Sequence, residues 1–169
     1  MRPMPQRRAS PPHIDIQTQS PLWEAQPLAA QTVRKAITAA ASALSTAGGE
    51  LSIVLTDDSA IRLLNRDWRG IDQPTNVLSF PASGNKTSED ARLLGDIVIA
   101  YETLERECDN EGRIFLHHLA HLAVHGFLHL IGYDHQTDPQ AEEMEGLESK
   151  IMKRLNMPDP YLPRDLGDA

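Results

Sequence analysis

The segment Ile114–Tyr133 constrains the fold more than any other part of the chain. It runs for 20 residues without an Asp, Glu, Lys or Arg, and within it His117, His121, His125 and His129 recur every fourth residue. A four-residue recurrence inside an apolar run reads as an α-helix that keeps one stripe on one side. The length approaches that of a membrane span, but the segment holds five histidines and two glycines. Hydrocarbon would not accept so many polar rings without partners. The expectation is a buried central helix in a globular domain.

Six of the seven histidines fall between 117 and 135: His117, His118, His121, His125, His129 and His135. One histidine on an apolar helix is ordinarily a core residue bonded to a neighbour, yet unsatisfied imidazoles in this number would cost roughly 1–3 kcal/mol each. They cannot all serve one ion, because His117 and His129 are separated by about 18 Å of helix. One i, i+4 pair can chelate, and a third ligand has to return from outside the helix. Gly132 can end the helix with a positive φ and bring His135 back to His125 and His129. The pattern H-x-x-x-H-x-x-G-x-x-H has the ligand spacing of the metzincin zinc proteases. Three neutral imidazoles with an open fourth position make a catalytic site for one Zn²⁺ per chain. Those proteases carry Glu after the first ligand, and here that residue is Gly126. Peptide hydrolysis therefore lacks its general base. Asp134 is either a partner or base beside the third ligand or simply the cap of the turn.

The remaining chain reads as an α+β fold, a single small domain with a short mixed sheet of about four strands against about five helices. Strands are expected at His13–Thr18, Leu51–Leu55, Asn76–Phe80 and Gly95–Ala100, and a polar loop at Pro81–Glu89. Helices are expected from Pro27 to Leu44, from about Asp57 to Trp68, at Glu102–Cys108 and from about Asp138 to Leu155. Glu142, Glu143, Glu145 and Glu148 are read as the solvated face of the last helix, opposite Met144, Leu147 and Ile151. Residues 1–12, with three Arg and four Pro, read as a disordered tail rather than a short targeting peptide. The domain is expected over 13–157, followed by a C-terminal tail, 158–169.

Composition adds two limits. With 40% hydrophobic residues the chain can bury a core, and its one cysteine, Cys108, can form neither an internal disulfide nor a cysteine-rich zinc cage. A reducing, cytoplasmic location fits. The net charge of −8 argues against a nucleic-acid binder when taken over the whole chain. It is unevenly spread, however: residues 1–100 carry ten bases and ten acids, while 101–169 carry six bases and fourteen acids.

The segment His125–His135, H-G-F-L-H-L-I-G-Y-D-H, resembles the signature of the YbeY family of bacterial endoribonucleases. Arg69–Pro81 (R-G-I-D-Q-P-T-N-V-L-S-F-P) is similar to a second block of that family, and Leu94–Ile99 to its last strand. The resemblance implies a single-strand-specific, zinc-dependent endoribonuclease acting in late ribosome maturation and quality control, including processing of the 3′ end of 16S rRNA. It implies His125, His129 and His135 as metal ligands and Arg69 as the functional arginine. The implied partners are single-stranded RNA or rRNA and the small ribosomal subunit with its proteins, with neither DNA nor a membrane. Arg69 precedes a turn that feeds a strand, so its guanidinium could clamp a scissile phosphate, although spacing alone favours a solvated surface residue. Arg62 and Arg66 could extend a phosphate track or remain solvated. His121 is read as a satisfied core residue, with a role beside a ligand or facing substrate as the alternative, and the roles of His117 and His118 stay open. Two other functions compete: a ribosome assembly factor with a mainly structural zinc, and a zinc hydrolase of another substrate.

Overall fold

β2 (Glu50–Thr56) and β4 (Leu93–Ala100) lie side by side and parallel at the centre of a four-stranded sheet of order β1-β2-β4-β3. The computed structural model describes residues 10–46, 48–82 and 92–162. Residues 1–9 of the expected N-terminal tail, 83–89 of the expected polar loop and 163–169 of the C-terminal tail lie outside the described residues. β1 (His13–Thr18) extends the sheet in parallel on one side, and β3 (Val77–Pro81) closes the other side antiparallel to β4. β3 is therefore an edge strand.

Alternation along the strands gives the sheet two apolar faces. Leu51, Ile53, Leu55, Ile97 and Ile99 join one cluster with α1 (Ala29–Ala43), α4 (Phe115–Leu130) and α5 (Asp138–Arg154). Leu78, Val98 and Ala100 point the other way and cover Ile61 of α2 (Asp58–Arg69), with Val54, Leu64 and Phe80 around them. α3 (Tyr101–Glu111) follows β4 directly. The expected α+β architecture, with its central apolar helix, is what the chain adopts.

Helix ends follow their local chemistry. Asp57 caps α2 by accepting the Ala60 N–H at 3.0 Å, and Thr137 with Gln140 forms a capping box at the start of α5. α4 ends in a Schellman motif: the Gly132 N–H donates to His129 O at 3.2 Å and the Tyr133 N–H to Leu128 O at 3.0 Å. Gly132 has φ 105°, a conformation that a Cβ would strain.

α4 approaches the sheet closely at one point. A Cβ on Gly126 would stand 3.0 Å from Ile97 Cγ2 and 3.1 Å from Ser79 Oγ, and the Ser79 hydroxyl donates to the Gly126 carbonyl at 3.2 Å. Ile97 is fully buried in the central strand and has nowhere to move. Gly126→Val is expected to destabilise the protein by at least about 2 kcal/mol through overpacking, a fall of several degrees in a thermal melt.

Candidate metal centre

The larger surface of α4 is apolar and buried, with Leu119, Val124, Phe127 and Leu128 fully inside the main cluster. The histidines form a seam along the remaining side, and most find an acceptor across it. His118 Nε2 lies 3.0 Å from Glu107 Oε1 of α3, a carboxylate that also accepts from the Asn76 amide at 2.9 Å. His121 Nε2 and His125 Nδ1 lie 2.9 and 2.6 Å from the two oxygens of Glu148 on α5. His129 Nδ1 lies 3.0 Å from the Tyr133 carbonyl oxygen, inside the turn that ends the helix.

These contacts fix which ring nitrogens carry protons. Neither the Glu148 carboxylate nor the Tyr133 carbonyl can donate, so a neutral His125 or His129 carries its proton on Nδ1 and a lone pair on Nε2. The two Nε2 atoms stand 3.1 Å apart. Two lone pairs at that distance repel unless a cation lies between them. Three nitrogens sharing a tetrahedral ion at about 2.0–2.1 Å would be separated by about 3.4 Å. His135 completes the group: one ligand atom from each of His125, His129 and His135 lies within 4.8 Å of the others. Burial, followed by the neighbouring imidazoles of His125 and His135, holds the His129 pKa below its ordinary value, which favours the neutral, ligating form. The trio could hold a metal ion, and the donor set fits one.

Gly126 explains why no carboxylate follows the first ligand. That position faces Ile97 and Ser79 of the sheet rather than the imidazole cluster, and packing reserves it for glycine. Asp134 accepts the backbone N–H of the next residue, His135, at 2.8 Å. His121 contributes no ligand atom to the trio; with His118 it has a buried Nδ1 that lacks a partner among the described residues.

Glu148 corrects the expectation that it belongs to a solvated face. Glu142, Glu143 and Glu145 are exposed, but Glu148 is fully buried. It stands four residues after Met144 and three before Ile151, both buried, so the helical period places it on the inner face. That spacing is the signal by which the sequence could have found it. Burial pushes the Glu148 carboxyl up, and hydrogen bonds from His121 and His125 and from the Tyr161 hydroxyl overcome it, holding the group at about 2. Tyr161 lies beyond the end of α5 and donates its hydroxyl to Glu148, which together with burial raises its own pKa.

Arg69 is the last residue of α2 and is exposed. α2 packs on the sheet face opposite α4, so no described contact brings Arg69 to the imidazoles. The two nevertheless share one end of β3. Asn76, just before the strand, is linked through Glu107 to His118 in the first half of α4, whereas Ser79 is bonded to Gly126 in the second half. Trp68, beside Arg69, packs on Phe80 at 6.0 Å between ring centroids. Arg62 and Arg66 form exposed ion pairs with Asp72 and Asp67 at 2.8 and 3.0 Å.

Partners that orient a ligating imidazole contribute about 10–100-fold in metal affinity. Glu148→Gln should weaken binding by that factor in chelator competition, while His121→Ala should retain one equivalent of metal. A thermal melt of each variant separates loss of metal from loss of fold.

A family model described as Endoribonuclease YbeY matches residues 14–156. The Endoribonuclease YbeY of Rhodopseudomonas palustris (strain BisA53) is 51% identical over 163 residues, covering 94% of this chain and 95% of the relative. That of Bradyrhizobium sp. (strain BTAi1) is 53% identical, covering 93% and 96%. A Thermotoga maritima protein solved in solution matches with a TM-score of 0.47 at 22% identity, covering 89% of this chain and 99% of that one. On the family-model match and the two relatives of about half identity along nearly its whole length, the chain belongs to the endoribonuclease YbeY family.

Proposed function

We propose that the protein is a zinc-dependent, single-strand-specific endoribonuclease of ribosome maturation. The observation that carries this reading is the number of ligands. Three imidazole nitrogens converge, and no fourth Cys, Asp, Glu or His joins them among the described residues. A structural zinc site is closed by four protein ligands, whereas a catalytic one leaves a position for water or substrate. That difference favours an enzyme over an assembly factor with a structural metal. An all-imidazole donor set with no thiolate suits zinc.

In this reading His125, His129 and His135 hold the ion, which when bound would acidify a water molecule and polarise a phosphoryl oxygen. The chain's own groups do the rest. Glu148 and the Tyr133 carbonyl keep Nδ1 of His125 and His129 protonated, so that Nε2 faces inward. Arg69, brought around the edge of β3, would hold a scissile phosphate through its paired N–H groups and stabilise the charge that gathers on it in the transition state. Action on rRNA within the small subunit, including the 3′ end of 16S rRNA, is what the resemblance of His125–His135 to the family signature implies. A cytoplasmic site of action is consistent with a buried free cysteine. Among the described residues no helix is long and apolar enough to cross a membrane.

Arg69→Ala should keep the fold and one equivalent of zinc yet lose cleavage of single-stranded RNA by about 10²–10³-fold, the magnitude associated with removing one donor to a developing oxyanion. His129→Ala should lose both zinc and cleavage. Normal cleavage by Arg69→Ala, or activity that survives complete removal of metal, would sink the mechanism.

A further inference from the structure

Trp68 is 72% exposed, more than any other large hydrophobic side chain among the described residues. An indole left this open on a well-formed helix carries no share of the core and is an exception to ordinary burial. Phe80 of β3 backs it at 6.0 Å with the rings tilted by 60°, so one side of the indole is propped and the rest faces solvent. Arg69 follows it directly, and Arg66 stands two residues before it, both exposed. The ion pair of Arg66 with Asp67 is exposed on both sides; such a pair contributes little and yields readily to a phosphate.

Position gives this patch its meaning. Phe80 and Ser79 are successive residues of the edge strand: Phe80 supports Trp68 on one face, and Ser79 bonds to Gly126, next to His125, on the other. The indole and Gly126 thus flank the same end of β3 from its two faces, and His125 is the residue before Gly126. Charge disfavours approach from the α5 side. α5 exposes Glu142, Glu143 and Glu145 on the side of the cluster that Glu148 seals, which repels a polyanion. The α2 side offers the Arg69 guanidinium next to an aromatic plane, the combination that holds unpaired nucleotides without regard to sequence.

We propose that Trp68 is a stacking platform for an unpaired RNA base, with the strand passing over the edge of β3 so that a neighbouring phosphate meets Arg69 on the way to the imidazole cluster. This rests on the endoribonuclease reading of that cluster. The chain has two tryptophans, and Trp23 is 3% exposed, so quenching of intrinsic fluorescence by an oligonucleotide reports on Trp68.

The zinc-loaded protein is titrated with a 12-nucleotide 2′-O-methyl single strand, and cleavage of unmodified single-stranded RNA is measured in parallel for wild type, Trp68→Phe and Trp68→Ala. The proposal expects saturable quenching in wild type that weakens with salt and is absent from both variants. It expects KM to rise roughly 5- to 100-fold in Trp68→Ala, by more than kcat falls, with Trp68→Phe in between. An unquenched Trp68 in a wild-type protein that cleaves normally would overturn it, as would an unchanged KM in Trp68→Ala. An unchanged KM combined with lost binding to isolated small ribosomal subunits would make the patch a protein-docking face and equally overturn it. Quenching in a wild-type protein that cleaves no RNA would sink the nuclease reading while supporting the RNA platform.

Discussion

Burial of the Glu148 carboxylate between His121 and His125 is the interaction on which the rest of the site depends. A carboxylate out of water is tolerated only when its oxygens are paired, and here the two imidazoles and the Tyr161 hydroxyl supply the partners. Those partners lie on α4 and on the segment after α5, so one charge fixes the register of α5 against α4 and draws the following segment over the seam. The same contact fixes the tautomer of His125. Packing and metal chemistry thus share an atom set, and a change to Glu148 disturbs both.

The central helix and its ligands were legible in the sequence because their signals are local. The four-residue recurrence sets the helix, Gly132 sets the turn, and the two together bring His135 to His125 and His129. Glu148 was not read because it was grouped by charge with Glu142, Glu143 and Glu145 rather than by period with Met144 and Ile151. The position of α2 was hidden for a different reason. The insertion of β4 between β2 and β3 is a non-local pairing, and it is this order that places α2 and α4 on opposite faces. Arg69 could be singled out as a residue, but the sheet face on which its helix packs is a property of the strand order.

The histidine seam also answers how an apolar helix carries so many imidazoles. Glu107 serves His118, Glu148 serves two rings, and the helix's own terminal turn serves His129. A ring on this seam is a structural polar contact or a ligand according to which nitrogen its acceptor occupies. His121 gives its Nε2 to Glu148 and is thereby withdrawn from the metal trio, whereas His125 gives its Nδ1 and keeps Nε2 for it.

The three ligands differ in how far the fold holds them. His125 and His129 are half-buried on a rigid helix, each pinned through its second nitrogen, whereas His135 is exposed and follows the terminal turn. Solvent and competing chelators reach the His135 arm first.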